Sequence, residues 1–77
     1  MDDIDLRIKS IIAEKFGVDA ENLTSDTSFT DDLAANSLDL VEISMIFERE
    51  FDIEVADVDV EALQTIADAE QLIRARV

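Results

Sequence analysis

Gly occurs once in this chain of 77 residues, and Pro does not occur at all. The two residues that interrupt helices most strongly are therefore all but missing, which constrains the chain toward helices. Its apolar residues agree, recurring mostly at helical spacing and not in strict alternation. No Cys and no His is present, which excludes disulfides and the usual zinc sites. Stability must then come from a small apolar core, worth typically about 3–5 kcal/mol at this size. One domain over residues 1–77 is expected, with no room for a second.

The spacing predicts a first helix from Asp3 to Phe16, with Ile4, Ile8, Ile11, Ile12 and Phe16 on one face. Asp2 is placed to cap it, with Asp5 three residues later as in a capping box, and Gly17 to end it in a left-handed cap. Residues 18–36 read as a long connection, pinned to the core by Val18, Leu23, Phe29 and Leu33. A loop this long in so small a domain is often functional. The second helix is expected from Ser37 to Phe51, with either Asn36 or Ser37 as N-cap.

Residues 52–56 form a linker, and a short helical turn over 57–62 has Asp57 as its expected cap. Ile53, Val55, Val58 and Val60 alternate with acidic residues, but a lone strand has no partner here. The last helix runs from Ile66 to Arg74, opened by a Thr65–Asp68 capping box and complemented at its end by Arg74 and Arg76. The fold class is all-α: a four-helix bundle of three longer helices and one short helix, with a long first loop. Its expected core is Ile8, Ile11, Ile12, Phe16, Phe29, Ile43, Phe47, Phe51, Ile66 and Ile73, and the small Ala67 and Ala69 leave space or allow close helix packing.

Charge narrows the partners. Twenty Asp and Glu face six Lys and Arg, a net charge of −14, well beyond the magnitude of about 2–8 that solubility asks. Such a surface repels nucleic acid and anionic membranes and attracts basic protein patches and cations. The 48% hydrophobic content argues against disorder. Residues 1–12 are acidic where a signal peptide would be basic, and no apolar run approaches the roughly 20 residues of a membrane span. A cytoplasmic, monomeric protein is the expectation.

The second helix has two apolar faces. At 100° per residue, Leu40, Ile43, Ile46, Phe47 and Phe51 share a broad face expected to pack on the first and last helices. Leu38, Val41 and Met45 lie roughly opposite, flanked by Asp39, Glu42 and Glu48. Full burial is at odds with so many carboxylates, so the second stripe reads as a docking strip for basic partners. Its competing reading is ordinary exposed apolar surface. Asn36 and Asp57 complete the set of candidate docking residues. Glu50 falls near the middle of the core face, with no explanation beyond its place near the helix end.

The run Asp32-Leu33-Ala34-Ala35-Asn36-Ser37-Leu38-Asp39 resembles the phosphopantetheine attachment motif of acyl carrier proteins, in which Ser-Leu usually follows Asp. Ser28-Phe29 with Asp31-Asp32-Leu33 is similar to the family's loop ahead of that motif. Val41-Glu42-Ile43 and Phe47-Glu48-Arg49-Glu50-Phe51 are similar to its second helix. The resemblance covers nearly the whole chain. It implies an acyl-carrier-like bundle and a carrier that is not an enzyme. A 4′-phosphopantetheine arm from coenzyme A would be joined to Ser37 through a phosphodiester, its terminal thiol carrying the acyl cargo as a thioester. The implied partners are a phosphopantetheinyl transferase and acyl-transferring and acyl-modifying enzymes of fatty-acid or related biosynthesis, with basic docking patches. A Ser at a helix N-terminus suits a phosphate, which meets free N–H groups and the positive end of the dipole. The plain alternative for Ser37 is an N-cap.

The chain departs from the family at Asn36, where Asp is usual, at Ala34 for a usual Gly, at Ala56 for a usual Pro, and at Arg49 on a helix that is generally acidic. A specialised carrier of polyketide, lipid-modification, peptidyl or D-alanyl type therefore stays open beside the fatty-acid carrier. An independent enzyme fits poorly: a Ser nucleophile needs a base, and the chain offers no His and only Lys9 and Lys15. A calcium-binding loop over Asp57, Asp59, Glu61 and Asp68 has the spacing of some ligands, but Ala62 stands where the turn needs Gly. No metal site is expected. An acidic, noncatalytic interaction module would share the docking helix without needing Ser37.

Overall fold

The computed structural model describes residues 3–77. Helices form where the periodicity places them: α1 at Asp3–Phe16, α2 at Ser37–Phe51, α3 at Asp57–Glu61 and α4 at Ile66–Arg76, with one 3-10 turn at Ala20–Asn22. α4 continues past the expected end at Arg74 to Arg76. The only β pairing among the described residues is an isolated antiparallel bridge, Ser28 with Thr65.

The helix ends follow local chemistry. Gly17, at φ +69°, ends α1, and the Val18 amide returns to the Ala13 carbonyl at 3.0 Å. The αL geometry there suits Gly because it has no Cβ. α4 opens with the expected box: Asp68 accepts from the Thr65 amide at 3.0 Å, and Thr65 Oγ1 accepts from the Asp68 amide at 3.4 Å. The cap expected from Asp2 lies outside the described residues. Asp57 does not cap α3, because it is already the first helical residue; Ala56 is the N-cap, and its amide donates to Asp59 Oδ2 at 2.9 Å.

Ile8, Ile12, Phe29, Ile43, Phe47, Ile66 and Ile73 are fully buried, joined by Leu23, Ala35, Leu63 and Ala69. Each large side chain so buried contributes about 1.5–3 kcal/mol. The expected core members Ile11, Phe16 and Phe51 are only half-buried, packed on the rim of this cluster. Over Phe51 the rim is closed by the Arg7 guanidinium, 4.4 Å from the ring centroid, a cation–π contact. Arg7 also donates to the Glu50 carbonyl at 2.9 Å, and Glu50 itself is exposed beside it. This explains how an acid sits on the apolar side of α2 without being buried. α1 packs on both α4 and α2, α2 also meets α3, and Ile43 and Phe47 of α2 share one core cluster with Ile66, Ala69 and Ile73 of α4.

The long loop is held by backbone as much as by side chains. Phe29 N–H donates to Gln64 O at 2.9 Å, Ile66 N–H to Thr27 O at 3.0 Å, and Ala67 N–H to Ser25 O at 2.9 Å. The last two also satisfy N-terminal amides of α4 that have no partner within the helix. Ser25 Oγ adds a bond to Glu70 Oε1 at 2.9 Å, giving that buried carboxylate a partner. Leu23, Phe29 and Leu33 pin the loop as expected, but Val18 is 38% exposed, directly after the Gly17 turn. Val58, which has the look of a packing residue in the sequence, is 69% exposed on the outer side of α3.

Candidate functional site

The loop delivers the chain to the start of α2 through Ala34, whose φ of +55° is left-handed, and through the buried Ala35, whose amide donates to Phe29 O at 2.8 Å. Asn36 is then the N-cap of α2. Its Oδ1 accepts from the Asp39 amide at 2.9 Å, and Asp39 Oδ2 accepts from the Asn36 amide at 3.1 Å. This reciprocal box decides between the two candidate caps. Because Asn36 does the capping, the Ser37 hydroxyl is left exposed and without a hydrogen-bond partner among the described residues. The amides of Ser37 and Leu38 likewise have no protein acceptor among the bonds at this helix end, where Leu40 is the first residue to bond back, to Asn36 O at 3.1 Å.

An open groove of about 340 Å³ begins at Ser37 and runs between α2 and α3. Leu40, Val41 and Val60 supply its apolar lining, and Asp57 and Glu61 its carboxylates. A phosphodiester on Ser37 fits this end of the helix, where free N–H groups and the dipole favour an anion. The amide groups of a pantetheine arm suit the apolar lining and the acceptor carboxylates beside it.

The docking candidates are arranged along the outside of α2. Leu38, Val41 and Met45 are 64%, 44% and 56% exposed, a contiguous apolar strip that the core does not use. The acids beside it are not all free. Glu42 Oε1 accepts a 2.7 Å hydrogen bond from Lys15 Nζ, which also lies 3.7 Å from Asp39 Oδ1. The bond to Glu42 holds the Lys15 ammonium above the ordinary lysine value, with Asp39 adding to it. Glu48 is turned to the linker, where its Oε2 accepts from the Val55 amide at 3.0 Å. Asp57 stands apart on α3, in the groove beside Ser37.

The carboxylates of the calcium-loop reading are engaged elsewhere. Residues Asp57–Glu61 are helical, not a ligand loop. Asp59 is gripped by the Ala56 amide and by Arg76, whose Nη1 lies 3.0 Å from Asp59 Oδ2. Those two donors, the amide first, hold the Asp59 carboxyl below the usual range. Asp68 is committed to capping α4. Among the described residues no group of acids is arranged to hold a metal ion, and no helix is long and apolar enough to cross a membrane.

Comparison with known families matches residues 6–73 to "Phosphopantetheine attachment site". The chain belongs to this family. Its members are noncatalytic carriers with a covalently attached 4′-phosphopantetheine, as the resemblance around Ser37 implies. Among solved structures, the chain is similar to the apo doublet acyl carrier protein from prodigiosin biosynthesis, with a TM-score of 0.81 and 23% identity over 95% of this chain. It spans 35% of that longer chain. At this identity the likeness speaks for the fold, which is that of an acyl carrier domain.

Sequence reasoning named Ser37, the strip and the acids around it. It missed Lys15 as a component of the site, and the contribution of Val60 and Glu61 to the groove. Lys15 is 27 positions from Glu42, and helical periodicity carries no signal for a pair formed between helices.

Proposed function

We propose that this chain is an acyl carrier protein that holds 4′-phosphopantetheine on Ser37 and presents acyl thioesters to enzymes of fatty-acid or related biosynthesis. The observation that carries the assignment of Ser37 is the capping box: Asn36 and Asp39 satisfy each other, so the adjacent hydroxyl is free and faces solvent at a helix N-terminus. In the loading step Ser37 Oγ forms the bond to phosphorus, the bond to the adenosine 3′,5′-bisphosphate half of coenzyme A breaks, and the hydroxyl proton passes to a base of the transferase. Once bound, the arm supplies a thiol, which a chain without Cys lacks. This chain's own residues orient the attachment point, line the groove beside it and present the Leu38, Val41 and Met45 strip to partner enzymes.

Asn36 favours a specialised carrier over a general one. It keeps the cap that Asp would provide but removes a charge beside the attachment point, so recognition by partners relies less on electrostatics at that position. Incubation with coenzyme A and a broad-specificity phosphopantetheinyl transferase, followed by intact mass, tests the assignment. Wild type is expected to gain one phosphopantetheine and Ser37→Ala none. Loading of Ser37→Ala, or peptide mapping of the group to another hydroxyl, would refute it.

A further inference from the structure

The acids at the start of α2 are met by a cation from within the same chain. Lys15 sits in the last turn of α1, and its Nζ reaches both Glu42, at 2.7 Å, and Asp39, at 3.7 Å. Asp39 already uses its other oxygen for the Asn36 amide. The two carboxylates nearest Ser37 on α2 are therefore partly neutralised before any partner arrives, although the chain as a whole carries −14. Glu42 stays half exposed, with 48% of its side chain accessible, so a second cation can approach it from solvent. Leu38, Val41 and Met45, on the same helix as Glu42, remain exposed.

We propose that Lys15 is a specificity-determining residue for carrier recognition, an internal counter-ion with which a basic partner must compete for Glu42. The inference rests on the carrier reading of Ser37. An arginine or lysine on a transferase or acyl-processing enzyme gains only the difference between its own pairing with Glu42 and that of Lys15. Partners that rely on charge at this position are thereby disfavoured. Partners that grip the apolar strip keep their full contact. Lys15 acts through Glu42 and touches neither cofactor nor reacting atoms, so its effect belongs in KM and not in kcat.

The test is loading by the same transferase, with kcat and KM measured separately for wild type, Lys15→Met, Lys15→Arg, Glu42→Gln and the double variant Lys15→Met/Glu42→Gln. Lys9→Met makes the same change in charge on the same helix, and Lys9 forms no ion pair among the described residues. Lys15→Met is expected to lower KM about two- to fivefold at low salt, the range of one exposed ion pair, with kcat unchanged. Lys15→Arg should restore the wild-type KM, and Lys9→Met should leave it unchanged. Glu42→Gln should raise KM more in the Lys15→Met background than in wild type, and the differences should fade as salt screens the pair. Circular dichroism on each variant separates loss of fold from loss of recognition, and Lys15→Gln carries the comparison if Lys15→Met unfolds: a KM lowered with kcat intact supports the competition, and one equal to or above wild type overturns it. An unchanged KM in a folded Lys15→Met, or an equal fall in Lys9→Met, overturns the proposal and leaves the carrier reading standing. Failure of wild type itself to load overturns both.

Discussion

Ala34 offers a measurable trade between backbone strain and chain entropy. It has φ +55° in the turn that leads into the attachment site, a conformation that costs an L-residue roughly 1–2 kcal/mol because Cβ crowds the following carbonyl. Its side chain is exposed, so removing the methyl forfeits little packing. Ala34→Gly relieves the strain, while the freer unfolded chain gives back about 0.4–1 kcal/mol. The balance is a gain of about 1 kcal/mol, which for a domain of this size raises Tm by roughly 4–8 °C. Thermal and urea unfolding followed by circular dichroism would read it, with an unchanged m-value showing that the denatured state has not altered in extent. Ala13→Gly within α1 is the control and should shift the opposite way by about 1 kcal/mol or more, since there the methyl is helical and half-buried. An Ala34→Gly midpoint equal to or below wild type would refute the argument that Ala is strained at this position.

Three further outcomes are expected. Raising salt or magnesium should increase Tm, because a net charge of −14 repels itself most strongly when unscreened; a flat or falling Tm contradicts this. Asp59 has its carboxyl depressed by the Ala56 amide and Arg76, so its contribution is present above the unfolded carboxylate value of about pH 4 and is lost as pH falls through the folded value. Asp59→Asn should therefore lower stability at neutral pH and reduce the further loss between about pH 5 and pH 2, as read by urea midpoints; an undiminished acid loss would mean that other carboxylates govern it. Phe47→Ala, at a fully buried position, should cost about 3–5 kcal/mol, comparable to the whole stability of such a core, and leave little helical signal at room temperature. A cooperative melt close to wild type would show that the core does not depend on it.

Much of this architecture is local and was therefore legible in the sequence. The span of α1 follows from apolar spacing and Gly17, that of α2 from its core face, and the start of α4 from Thr65 and Asp68. These depend on residues within a few positions of one another, which is the reach of helical hydrogen bonds and caps. The charge, the outward strip on α2 and the candidate hydroxyl of Ser37 belong to the same class of observation. Tertiary structure decided what depends on the meeting of distant segments. Leu63 and Ala35 are buried although they lie outside the helices, where periodicity assigns no phase. Val18 and Val58 are exposed although apolar, because the chain turns them away from the core. The first loop is ordered by backbone bonds to Gln64, Ile66 and Ala67, and backbone groups are the same in every sequence, so no residue type announces such pairing. Lys15 joins Glu42 across two helices for a similar reason: side chains on different elements become neighbours only after packing sets the angle and height of those elements against each other.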